Sequence, residues 1–392
     1  MSETEQRPYI GGQAVIEGVM MRSPRSFSIV VRRRSGALVV RERPIGPSPD
    51  RKQALWWPFV RGVTALVEAV KLGSEALRFS SQLYEEDLES AEAGSSPGAP
   101  KPMQGRAPNR PGGPGGVLGT LAFWAAALAV GDPASAPGSS PAPAQGKGAG
   151  ASRLLPWVTI AFALGLFVAL PQAAAAWTSR LGGWHLDVRS TLFQALTGAF
   201  KLAIVIGYLL LIRRLAEIRR VFQYHGAEHK TISTYEAGER LTVDHARKKS
   251  TLHPRCGTTF LVMVALVSIV VFSLIAPLLP RFGLGAVVDN VLLLVLKLPF
   301  LPVIAGVTFE IQRLLARYCT SGPARALLWP GFLVQKITTI EPLDDQLEVA
   351  LASLEATLWR ERAQGAAPST VTHRMFADFA ALAADPGYVH AA

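Results

Sequence analysis

Cysteine is scarce in this chain. Cys256 and Cys319 are its only two in 392 residues, which excludes a disulfide framework. If both face the cytoplasm they stay reduced, and Cys256 is free to act as a thiolate ligand. Charge is scarce too: 18% of residues are charged and 49% are hydrophobic, less charge than a soluble enzyme of this length usually carries. Residues 1–50 are polar and Arg-rich with no apolar run, so no secretory leader is expected. Also missing are a Walker-type phosphate loop, a dinucleotide-binding glycine pattern after a strand, a G-x-S-x-G elbow and any internal repeat. The net charge of +11 would suit nucleic acid in a soluble chain. In a membrane chain it suits loops rich in Lys and Arg, so nucleic acid is not an expected partner.

What is abundant is long apolar sequence. A helix needs about 20 mostly apolar residues to cross a bilayer. Leu154–Trp177, Thr191–Ile212, Thr258–Leu279 and Val291–Ile311 meet that need. The last is interrupted by Lys297, Pro299 and Pro302. A lone ammonium within lipid is costly, so Lys297 either snorkels or marks a polar interior. The stretch Arg213–Gly257 holds ten Lys or Arg residues, whereas the loops after the first and third spans hold few. The positive-inside rule makes that stretch, and with it both termini, cytoplasmic. The fold class is mainly α: a polytopic membrane protein of about four spans, with a small N-terminal β unit and cytoplasmic amphipathic helices.

The other segments fit around those spans. Residues 1–53 form the β unit, with strands Phe27–Arg32 and Ala37–Arg41 around a turn at Arg33–Gly36 and a further strand in Gln13–Met21. Residues 54–85 hold an amphipathic helix with Trp56 and Trp57 at its start; it either lies in the membrane interface or packs on the β unit. Residues 93–150 are a Gly/Pro/Ala/Ser-rich linker expected to be disordered, with a short apolar island at Val117–Val130. Residues 153–312 are the membrane domain, including the cytoplasmic loop 213–257. Residues 313–363 form a C-terminal cytoplasmic segment with a helix at Gln346–Trp359, and 364–392 are a tail.

One cluster in the basic loop carries chemistry. His225-Gly226-Ala227-Glu228-His229 is followed by His253-Pro254-Arg255-Cys256. On a helix from Ala216 to about Ala237, His225 and His229 share a face. The H-x-x-E-H order is one that some zinc hydrolases use. His225, His229, His253 and Cys256 together would close a tetrahedral structural site; three of them would leave a position open for catalysis. Glu310, at the cytoplasmic end of the fourth span, is a further candidate ligand, and Glu17 is placed to approach. Glu228 is the candidate catalytic base. The bland alternative is a polar packing network in which Arg255 or Lys230 pairs with Glu228.

Several longer runs resemble the YqhQ-like family of bacterial membrane proteins. They are Gly11–Arg22, Arg220–Thr231, Ser250–Thr258, Pro302–Gly306 with Glu310, and Thr338-Thr339 with Glu341-Pro342 and Gln346–Ala350. The resemblance covers about residues 7–85 and 153–352. It implies a protein of the bacterial inner membrane and the description of predicted metal-dependent enzyme, itself an inference from the same histidines. Two functions follow. One is a metal-dependent hydrolase, with a divalent metal such as zinc, acting at the bilayer surface on a lipid-linked substrate or membrane protein. The other is a non-enzymatic scaffold or biogenesis factor, whose basic face, including Arg247-Lys248-Lys249, binds a partner. A transporter is a third, resting on Lys297 and the proline-broken span.

Overall fold

A computed structural model describes residues 7–45, 58–93, 162, 165–280, 282–284, 286–319, 322–363, 372–385 and 388. The linker with its island, the start of the first expected span, and Trp56 and Trp57 lie outside the described residues.

β-branched and alternating residues give strands β1 (Gly11–Val15), β2 (Gly18–Arg22), β3 (Ser26–Arg32) and β4 (Leu38–Pro44). They form an antiparallel meander. The single strand expected in Gln13–Met21 is a hairpin, because the chain reverses at Ile16–Glu17 with Glu17 at φ 52°. The tail expected as an appendage supplies a fifth strand, β5 (Thr372–Phe376), antiparallel to β4 with Leu38 opposite Phe376.

The helices are α1 (Pro58–Ala93), α2 (Leu170–Leu181, entered through a π turn at Gly165–Ala169), α3 (Thr191–Ile212), α4 (Ala216–Ala237), α5 (Val243–Arg247), α6 (Gly257–Ile275), α7 (Ala286–Lys297), α8 (Phe300–Tyr318), α9 (Trp329–Thr338), α10 (Asp344–Arg362) and α11 (Phe379–Ala383). Two of them close one face of the sheet: α4 and α10 bury Tyr224, Ala227, Leu347, Leu354 and Leu358 with Ala14, Val19, Val30 and Val40. Each large apolar side chain so buried stabilises by about 1.5–3 kcal/mol. On the other face, Leu72, Ala76, Phe79 and Leu83 of α1 pack on Val15, Phe27, Ile29 and Val31. Coverage on both sides explains why β3 is buried along six of its seven residues. Within this core the α10–sheet seam is polar: Ser28 Oγ donates to the Ser353 carbonyl and Ser26 Oγ to the Thr357 carbonyl, each at 2.8 Å.

Of the two readings of the N-terminal helix, the described residues of α1 follow the packed one. Its middle covers the sheet, and near its start Gly62 crosses α8, where an added Cβ would stand 3.0 Å from Gly306 Cα.

α3 and the run Gly257–Leu278 are each long and apolar enough to cross a membrane. Residues Val288–Lys297 and Phe300–Tyr318 satisfy the test only together, bent by 44° at their break. The bend falls on Pro299, which has no amide hydrogen to give the helix. The described residues therefore hold two or three membrane-capable helices rather than four. Gly165–Leu181 carries the described part of the first expected span.

Candidate metal centre

The second half of α4 is where sheet, bundle and basic loop meet. His225 and His229 stand one turn apart on it. Cys256 is the N-cap of α6, its Sγ accepting from Thr258 N at 3.4 Å. One ligand atom from each of His225, His229 and Cys256 lies within 4.8 Å of the other two. His225 Nε2 is 3.2 Å from Cys256 Sγ, and the two imidazole centroids are 4.5 Å apart.

Backbone carbonyls hold the outer nitrogens. His225 Nδ1 donates to the Thr338 carbonyl at 2.9 Å, and His229 Nδ1 to the Thr251 carbonyl at 2.5 Å. A carbonyl only accepts, so both Nδ1 atoms carry hydrogen. Such outer contacts orient the ring and fix the tautomer of metal-binding histidines. His229 Nε2 is left buried without a hydrogen-bond partner. Stranding a buried polar atom in this way costs about 1–3 kcal/mol.

The electrostatics favour a thiolate. Burial works against it, but His229 and His225 overcome burial and hold Cys256 well below the usual thiol range. A helix N-terminus favours the anion as well. Burial likewise opposes charge on His225, yet Cys256, Glu228 and the Thr338 carbonyl raise it to about 9. Glu228 is buried against the backbone of Gly12, where an added Cβ would come within 2.7 Å of Glu228 Cγ. Burial raises its pKa, with His229 and His225 pulling the other way. The two cations expected beside Glu228 are engaged elsewhere. Lys230 Nζ donates to Glu341 Oε1 at 2.5 Å and to the Arg247 carbonyl at 2.8 Å. Arg255 pairs with Glu236 and lies over the Tyr9 ring.

The remaining expected ligands stand farther out. The His253 ring is 5.6 Å from that of His229, and its Nε2 is 3.4 Å from Glu236 Oε2; burial lowers its pKa. Glu310 stands 3.9 Å from Arg313, one turn along α8, and is not in the three-residue group. Its helix reaches the cluster through Gln312 instead, whose Nε2 donates to the Cys256 carbonyl at 3.1 Å. Glu17 takes Arg220 in a two-pronged contact, Nε and Nη2 each at 2.5 Å, with the Tyr224 hydroxyl at 3.3 Å. It braces the β1–β2 turn on α4.

Sequence reasoning missed the residues that shape the turn. Gln335, fully buried, accepts from His253 N at 2.8 Å and donates to the His253 carbonyl at 2.7 Å. No spacing rule points to it. Gly226 had a signal, since it lies inside the pentapeptide. A Cβ there would overlap the Ile340 carbonyl oxygen, so glycine lets the loop after α9 lie on α4 and brings Thr338 to His225.

Fold and site together define a mainly helical protein with two or three membrane-capable helices, a small antiparallel sheet, and a His/His/Cys cluster, half-buried at His225 and buried at His229 and Cys256, where the two meet. The chain matches the family described as "Protein of unknown function (DUF1385)" over residues 57–360. It is 30% identical over 366 residues, 91% of this chain and 95% of the other, to the "Uncharacterized protein YqhQ" of Bacillus subtilis (strain 168). The chain belongs to that family. No solved structure matches it.

Proposed function

We propose that this is an integral protein of the bacterial inner membrane in which His225, His229 and Cys256 bind a divalent metal at the cytoplasmic surface, and that it hydrolyses a lipid-linked or membrane-protein substrate there. The observation that carries the reading is the pair of carbonyl-held imidazoles with one orphaned Nε2 beside a thiolate. Two nitrogens and one sulfur suit zinc, and three protein ligands leave the fourth tetrahedral position for substrate chemistry. A metal so held supplies Lewis acidity. Glu228, buried and with its pKa raised, is poised to accept a proton and return it. His253 and Glu236 form the next layer around His229. Metal analysis of detergent-purified protein tests the proposal: about one zinc per chain is expected in the wild type. His225→Ala/His229→Ala and Cys256→Ser should hold far less. A wild type that takes up no zinc when offered it would sink the metal reading and leave the scaffold as the working one.

The same proposal includes four crossings, with the sheet inside the cell. The ten basic residues of 213–257 favour that side. α3 ends and α6 begins beside the sheet unit, and the bent pair returns to it, because Gln312 meets Cys256. Phe167 meets Tyr208 edge to face at 6.0 Å near the sheet end of α3, while Ser179 Oγ accepts from Leu186 N near the other end. The stretch 165–181 therefore runs against α3 as a first span would.

A further inference from the structure

The end of the bundle remote from the His/Cys cluster carries polar groups that the metal reading does not use. Cys256 and Ser273 are separated by about 25 Å along α6 at 1.5 Å per residue. Here Gln194, buried in the first turn of α3, donates to the Val188 carbonyl and accepts from Lys297 Nζ at 2.8 Å. Lys297, the last residue of α7, also lies 5.3 Å from the Phe272 ring centroid. Thr197 and Lys201 follow Gln194 at helical spacing, on one face of α3. Lys201, on the outer side of that face, lies within electrostatic reach of Lys297.

α6 completes the group. It runs antiparallel to α3: Val262 packs near Leu209, Gly198 touches Ile269, and Arg189 reaches the Pro277 carbonyl. That register brings Ser273 level with Gln194. Ser273 is 6% exposed, and its Oγ has no hydrogen-bond partner; Thr197 Oγ1 is likewise buried and without one. Among the described residues neither lysine forms an ion pair. The carboxylates at this end serve backbone amides, Asp187 that of Arg189 and Asp289 those of Gly283 and Leu284. Two ammoniums of like sign, that of Lys297 half-buried between the helices and that of Lys201 on the apolar outer surface of the bundle, call for a counter-anion in a membrane. Two spare hydroxyls beside them suit an anion with several acceptor oxygens.

We propose that Lys297, Lys201, Thr197 and Ser273 form a phosphate-binding site within the helix bundle. The phosphate comes either from an anionic lipid or from solution, and the exposure of Lys201 on the bundle surface opens the site sideways, as a lipid headgroup would need. The proposal rests on the membrane reading of α3, α6 and α7 and is independent of the metal.

The test is native mass spectrometry of the full-length protein in detergent, titrated with dioleoyl phosphatidylglycerol. Dioleoylglycerol controls for chain binding, and inorganic phosphate is added as competitor. The wild type should retain one phosphatidylglycerol and no dioleoylglycerol. The Lys201→Gln/Lys297→Gln variant should bind it at least about tenfold more weakly, while Lys201→Arg/Lys297→Arg keeps most of the affinity. Displacement by inorganic phosphate would identify a soluble anion as the ligand; resistance would identify the lipid, and either outcome supports the site. Should the Gln variant misfold, Thr197→Val/Ser273→Ala keeps both charges and should still weaken binding about fivefold. Equal affinity of the wild type and a folded variant for both probes overturns the proposal.

Discussion

His225 has two nitrogens with different neighbours, and that asymmetry sets how the site responds to pH. Nδ1 is held by the Thr338 carbonyl, while Nε2 faces Cys256. Without metal, Nε2 keeps a proton up to about pH 9, and an incoming metal must displace it. The sign follows: below pH 9 binding releases a proton from His225, so apparent affinity rises with pH, by about tenfold per unit, and levels off above it. Cys256 is already a thiolate and adds no slope. Zinc competition against a chelator between about pH 6.5 and 9.5 measures this, and a flat profile would contradict the thiolate–imidazolium pair. Gly226→Ala tests the neighbouring contact. Its Cβ collides with the Ile340 carbonyl, so the variant should lose on the order of 1–3 kcal/mol of stability, read as a lower thermal midpoint. The sequence made His225, His229 and Cys256 legible because their residue types and spacing carry ligand chemistry. It did not reveal the bracing role of Glu17, because its partner Arg220 lies 203 positions away, beyond any local pattern.

At the level of elements, α4 shows what made boundaries readable. Its expected end near Ala237 coincides with Gly238 in the left-handed conformation at φ 73°, the stop signal of many helices. The break between α7 and α8 was legible for a similar reason, through Pro299. β5 was not, since five residues without an apolar partner in view say nothing of β4, over 300 residues earlier. α10 was read as a one-stripe helix, but sheet, α4 and α5 surround it, and its other side chains are drawn in. Glu355 is one of them. Burial raises its pKa from 4.5 to about 7. A carboxyl raised on folding favours the folded state while protonated; that contribution is present at low pH and is lost as pH climbs from about 4.5 to 7. Glu355→Gln should therefore stabilise the protein at pH 8, by on the order of 3 kcal/mol at most, and flatten stability over that interval. Thermal midpoints of the two proteins at about pH 5 and pH 8 give the answer; an equal pH dependence in both would mean that Glu355 is solvated.

For the whole molecule the sheet sets a parity rule. β4 and β5 are hydrogen-bonded neighbours, so the chain between Pro44 and Thr372 crosses any membrane an even number of times. On the proposed membrane reading α3 and α6, each long and apolar enough to cross, would contribute one crossing each, and Gln312 beside Cys256 would require the bent pair α7–α8 to contribute a third. An even total then needs one more between α1, packed on the sheet, and the start of α3, which is where residues 165–181 run against α3. Cysteines introduced one at a time into a Cys256→Ser/Cys319→Ser background would test this with a membrane-impermeant maleimide. Ser35→Cys, in the β3–β4 turn, and Arg240→Cys, beyond α4, should react only after permeabilisation, whereas His185→Cys, between α2 and α3, should react in intact cells. If Ser35→Cys and His185→Cys react alike, the crossing before α3 does not exist. If all three react in reversed order, the parity stands but the sheet faces outward. Substrate for the His/Cys cluster would then have to come from outside the cell, and the positive-inside reading of residues 213–257 would fail for a protein with ten basic residues in that loop.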